Sequence, residues 1–191
     1  MVEGGGSKNY AQVKKLMYNN PKLARSLLSK LAKTVAEYLS AQIEAGADAL
    51  QIFDSWAGVL DEASFEAYAI APVKRIVDRV RAAIPDAKLI GFAKGAGPLL
   101  KTYREKTGVN AVGLDWQVPL SFAKELQAQG AVQGNLDPLR LIAGGKALEE
   151  GVDRILETLK DGPHIFNLGH GITPEAPIEH VDALLKRIRG L

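Results

Sequence analysis

His164-Ile165-Phe166-Asn167-Leu168-Gly169-His170-Gly171 opens as a short apolar run and closes on a polar tip flanked by glycines. A bulky apolar run too short for a helix reads as a buried strand. The same pattern occurs four more times upstream. Residues 47–53 lead into Asp54-Ser55-Trp56-Ala57-Gly58, residues 88–93 into Lys94-Gly95-Ala96-Gly97, residues 111–114 into Asp115-Trp116, and residues 131–136 into Asp137-Pro138.

Helical spacing fills the intervals. Tyr10, Val13, Leu16 and Met17 make one apolar stripe, and Leu27, Leu28, Leu31, Val35, Leu39 and Ile43 make a second. Asn20 before Pro21 predicts an N-cap followed by proline at the first helical position, and Gly46 ends that helix. Further helices are predicted over residues 61–83, through Leu99, Leu100 and Tyr103, over 119–129, over 148–159 and over 177–189. Pro72 marks a bend or break in the first of these, because proline removes a backbone donor and crowds the preceding turn.

Strands alternating with helices signal βα units and a parallel sheet. Two architectures compete, an open doubly wound sheet and a (β/α)8 barrel. Gly4-Gly5-Gly6 follows no strand, and Gly95-Ala96-Gly97 lacks the third glycine of a dinucleotide fingerprint, so the barrel is preferred. A complete barrel takes eight strands and about 250 residues. With 191 residues and about five βα units, the expectation is an α/β fold, a partial TIM barrel forming a single domain over residues 1–191. The glycine-rich opening, residues 1–7, reads as a loop that begins mid-fold.

Composition narrows the partners. A net charge of +2, with Lys and Arg spread over helical segments, gives no reason to expect nucleic acid. The absence of cysteine rules out disulfides and thiolate metal sites. No secretory segment or apolar span of membrane length is evident, so no membrane association is expected and a cytoplasmic location is.

Barrels carry their chemistry at the C-terminal ends of the strands. Those ends present Asp54, Ser55 and Trp56; Lys94; Asp115 and Trp116; Gln133, Asn135 and Asp137; Asn167 and His170. Asp54 and Asp137 serve equally well as helix caps, and Lys94 as a solvated rim charge. His170, between two glycines, is the foremost candidate for binding or proton transfer. His164 is expected on the far, structural face and His180 on the surface of a helix. No H-x-H or H-E-x-x-H motif supports a metal site, and neither a nucleophile elbow nor a P-loop is present.

Taken together, Glu3-Gly4-Gly5-Gly6-Ser7, residues 51–58, Gly113-Leu114-Asp115-Trp116, residues 133–138 and Asn167-Leu168-Gly169-His170-Gly171 resemble the uroporphyrinogen decarboxylase family of haem biosynthesis, in order along the whole chain. The resemblance implies a TIM barrel of which this chain supplies strands 4 to 8. It also implies a homodimer when complete, no cofactor or metal, and conversion of uroporphyrinogen III to coproporphyrinogen III by decarboxylation of four acetate arms. On this resemblance Ser55 contacts a substrate carboxylate, Phe53 lines the cleft beside it, and His170 reaches the tetrapyrrole; none of the three is assigned as a catalytic acid or base. The family's pyrrole-binding aspartate, its amino-terminal arginines and its cleft tyrosine have no counterpart in this sequence, so the isolated chain is expected to be inactive. Two other readings stand beside this one: a tetrapyrrole-binding fragment without turnover, and a related zinc- and cobalamin-linked methyltransferase barrel. The second is disfavoured because those enzymes hold zinc with cysteine as well as histidine.

Overall fold

A computed structural model describes residues 2–190. Two helices open the chain, α1 (Ala11–Asn19) and α2 (Pro21–Glu44). Asn20 caps α2, its side-chain oxygen accepting from the Leu23 N–H at 3.2 Å, with Pro21 at the first helical position. Tyr10, at the start of α1, has no side-chain cap of its own. Glu3 does this work from seven residues upstream, accepting from the Gln12 and Val13 N–H groups at 3.0 and 3.2 Å.

Five strands follow, β1 (Leu50–Asp54), β2 (Leu89–Ala93), β3 (Ala111–Gly113), β4 (Ala131–Gln133) and β5 (His164–Ile165). The helices between them are α3 (Glu62–Phe65), α4 (Ala71–Ala83), α5 (Leu100–Thr107), α6 (Leu120–Gln127), α7 (Pro138–Ala143) and α8 (Gly145–Leu159), and α9 (Ile178–Arg189) closes the chain. The break expected at Pro72 is a single π-helical turn, Glu66–Ile70, which joins α3 to α4 and absorbs the hydrogen bond that proline cannot make. Helix α7 is not among the predicted helices, although Asp137 stands as a candidate helix cap. Asp137 accepts from the Leu139 N–H at 2.9 Å and Pro138 takes the first helical position, the same start that Asn20-Pro21 gives α2. β4 and β5 are also shorter than expected, three and two residues, and past them the chain continues alongside as an isolated bridge between Leu136 and Leu168.

Every strand pair is parallel, in the order β1-β2-β3-β4-β5. A doubly wound sheet reverses its order at a switch point; sequential order without reversal is the wall of a barrel, which decides between the two architectures. Curvature confirms it. β1 and β4 stand three strand spacings apart, about 14 Å if the sheet were flat. Yet the Gln133 side-chain amide donates to Gln51 Oε1 at 3.0 Å. The sheet therefore curls until side chains of its first and fourth strands meet across the concave face.

The convex face carries the main core. Leu50 and Ile52 of β1, Leu89 of β2, Val112 and Val132 bury against Val73, Val77 and Val80 of α4, Leu100 and Tyr103 of α5, Leu126 of α6, and Val152 and Ile155 of α8. Buried polar groups act as ties. The Arg104 guanidinium donates to the carbonyls of Leu126 and Ala131, and the Gln127 amide donates to the Leu159 carbonyl at 2.8 Å. No described helix is long and apolar enough to cross a membrane.

Candidate functional site at the strand tips

Strand alternation sets the site. In β1, Leu50, Ile52 and Asp54 fall on one face and Gln51, Phe53 and, one step beyond, Ser55 on the other. Phe53 pairs in register with Phe92 of β2, and their rings meet edge to face at 5.9 Å. A cleft of about 240 Å³ opens over these residues, lined by Phe53, Ser55, Phe92, Gln133, Leu168 and His170 among others. Phe53 is 68% exposed, a large apolar surface facing the cleft rather than the core.

His170 reaches the same cleft from the loop after β5. Its ring lies edge-on to Phe92 and to Trp116, each at 6.2 Å. Nδ1 accepts from the Gly171 N–H at 2.7 Å, so in the neutral imidazole the proton resides on Nε2, a donor free for a bound anion. Gly169 holds the loop in place. Its N–H donates to the Leu136 carbonyl at 2.7 Å, and a Cβ there would collide with the backbone nitrogen of Trp116. Lys94 stacks its ammonium over the Trp116 ring, 4.8 Å from the centroid, so the rim charge is held against an aromatic face.

Other polar tips turn out to be structural. Asp115, 2% exposed, accepts from the Gly95 N–H at 2.7 Å and the Gln117 N–H at 2.9 Å, tying the β2 loop to the β3 loop. Asn135 donates to the carbonyls of Asp115 and Val118 at 3.1 and 2.9 Å and continues that tie into the β4 loop. Asp137 is the α7 cap already described. Asp54 belongs to neither group. It lines a separate pocket of about 380 Å³ with Tyr10, Trp56 and Tyr68, away from Ser55 and His170. Burial pushes its carboxyl above the usual range, against the pull of the Trp56 and Ala57 N–H groups.

The remaining histidines divide. His164 Nε2 lies 2.6 Å from the Gly134 carbonyl, a structural bond. His180 is half-buried rather than a free surface residue, with Nδ1 2.9 Å from the Leu141 carbonyl and its ring packed on Gly144. Among the described residues no three His, Asp or Glu side chains converge as a metal would require. Gln51 and Phe92 are the cleft residues that the reading of strand tips did not reach. Two-residue alternation back from Ser55 finds Gln51, and parallel register from Phe53 finds Phe92.

The uroporphyrinogen decarboxylase (URO-D) family profile matches residues 1–191. Uroporphyrinogen decarboxylases of Brucella anthropi, Brucella canis and Brucella suis are each 60% identical to this chain over 190 residues, covering 100% of it. The chain spans 56% of the length of each of these relatives. A family match along the whole chain, at that identity and on a curved parallel wall with its cleft at the strand tips, leaves one conclusion: the chain belongs to the uroporphyrinogen decarboxylase family.

Proposed function

We propose that residues 1–191 contribute to an enzyme that converts uroporphyrinogen III to coproporphyrinogen III by removing carbon dioxide from its four acetate side chains, that these residues alone do not turn substrate over, and that Ser55, His170 and Phe53 form part of the substrate cleft. The observation that carries this reading is the convergence of Ser55 and His170, from opposite edges of the wall, on one cleft floored by Phe53 and Phe92. A tetrapyrrole with carboxylate arms asks for this combination, apolar surface for the macrocycle and hydrogen-bond donors for the arms.

Protonation of the pyrrole carbon beside an acetate turns the ring into an electron sink. The bond between the methylene and the carboxylate carbon then breaks, its electron pair passes into the ring, and carbon dioxide leaves. The exocyclic methylene takes a proton to become a methyl group and the ring proton is returned, so each turn consumes one proton. Within this scheme the Ser55 hydroxyl and His170 Nε2–H hold carboxylates, Lys94 adds positive potential at the rim, and the phenylalanines keep water from the macrocycle. We read residues 1–191 as one domain of a cytoplasmic enzyme that acts as a homodimer.

Binding without turnover is the second reading. Its support is that none of the three aspartates at the strand tips turns a carboxylate into the cleft: Asp54 faces another pocket, Asp115 is buried with each oxygen accepting a backbone N–H, and Asp137 caps α7. An anaerobic assay of the intact protein for coproporphyrinogen, run beside a fluorescence titration with uroporphyrin, separates the two. Product formation supports decarboxylation, binding without product supports the second reading, and neither signal contradicts both.

A further inference from the structure

A second concavity lies on the helix side of the rim, about 650 Å³ against about 240 Å³ for the cleft. Its walls come entirely from residues 116–158: the β3 and β4 loops, the start of α6, and one face of α8. We propose that this cavity is a binding site for a small oxyanion, a phosphate or carboxylate group, held by Arg140 and Arg154 with Ser121.

Three features support it. First, both arginines line the cavity, and none of the ion pairs among the described residues uses either of them. Arg140 is moreover held in position. Its stem lies across Gly151, where a Cβ would come within 2.8 Å of Arg140 Cδ, and one guanidinium nitrogen donates to the Ala147 carbonyl at 2.6 Å. That leaves the rest of its planar fork for a ligand, and a guanidinium matches two oxygens of one anion.

Second, α6 begins at the cavity wall without a side-chain cap, because Pro119 occupies the N-cap position. Amide donors of its first turn, with the positive end of the helix dipole, favour negative charge there. Third, Ser121, in the first turn of α6, adds a hydroxyl to the same lining, whereas the Thr158 hydroxyl donates to the Arg154 carbonyl at 2.7 Å and is spent within α8. The carboxylate in the lining, Asp137, has one oxygen engaged in capping α7, and the two arginines outweigh it by one charge.

Trp116 is common to this cavity and to the rim, since its ring also meets His170 at 6.2 Å. Trp116 thus lines the cavity and meets a residue of the cleft, His170. The site does not depend on the function proposed above.

The test is a titration of the intact protein with inorganic phosphate and, in parallel, with acetate and citrate, at ionic strength held constant with sodium chloride. The Trp116 indole N–H resonance is the readout, alongside Trp56 as internal reference. Saturable movement of Trp116 alone is expected, stronger for phosphate if the natural group is a phosphate and for citrate if it is a carboxylate. Arg154→Gln, an exposed position, is expected to weaken binding about tenfold or more with the fold intact by circular dichroism. Arg140→Lys provides a second variant that keeps charge but loses the fork, and is also expected to weaken it. His170→Ala is expected to leave anion affinity within about twofold. Absence of saturation with all three anions, or equal affinity in Arg154→Gln, overturns the proposal.

Discussion

The centre of the wall and its two edges use the same kinds of residue for different purposes. At the tips of β3 and β4, Asp115 and Asn135 spend polar atoms on backbone groups of their own and neighbouring loops, and Asp137 spends one on the first turn of α7. At the tips of β1 and β5, Ser55 and His170 face an open cleft, and the apolar Phe53 beside them stays exposed. Central strands have neighbours on both sides whose loop amides must be satisfied, so a carboxylate or amide there is drawn into their service. Among the described residues, neither Ser55 nor His170 ties one loop to another in this way. Rim polarity alone does not mark a binding residue; what its polar atoms already bond to sorts it.

The sharpest way to break this contrast is at the centre. Asp115→Ala removes a buried carboxylate that accepts from two backbone N–H groups, and at about 1.5 kcal/mol for each charge-assisted hydrogen bond it is expected to cost about 3 kcal/mol of stability, read as a fall in the urea midpoint. An unchanged midpoint would mean that Asp115 is not a clamp. Gly169→Ala tests the joint between the regions, because its new methyl group meets the Trp116 backbone. A loss of about 2 kcal/mol is expected, together with weaker uroporphyrin binding as the His170 loop moves. At the edge, Ser55→Ala should change stability by less than about 0.5 kcal/mol while weakening uroporphyrin affinity several-fold in a fluorescence titration.

Asp54 supplies the smallest effect, and one with a sign. Its folded carboxyl lies above the ordinary 3.8, so the native state holds its proton more tightly than the unfolded chain. Stability contributed by this group is therefore greatest below pH 3.8 and falls as pH rises through the raised folded value, above which it is level. Asp54→Asn keeps an acceptor for the Trp56 N–H and removes the charge. It is expected to be more stable than the parent at neutral pH, with the difference vanishing in acid; a destabilised variant at pH 7 would show that the carboxylate is held by its hydrogen bonds after all.

Much of this was legible before any coordinates. The five apolar runs, their parallel pairing and the barrel class follow from periodicity, and Ser55, Phe53 and His170 do fall on one cleft. What escaped has physical reasons. Asp137-Pro138 looks the same whether it begins a turn or a helix, because a capping carboxylate and a fixed φ suit both. The clamps made by Asp115 and Asn135 join loops about 20 residues apart, a proximity created by the parallel pairing of β2 with β3 and of β3 with β4. His180 was read as surface because its helix is amphipathic, yet it fills the space over Gly144.

The central claim is that Ser55 and His170, and not Asp115, Asn135 or Asp137, bind the tetrapyrrole. Uroporphyrin titration of the intact protein and of His170→Ala, with urea midpoints measured on the same samples, tests it directly. The account expects the variant to bind at least about tenfold more weakly, about 1.4 kcal/mol, at an unchanged midpoint. Equal affinity in the two proteins would contradict it.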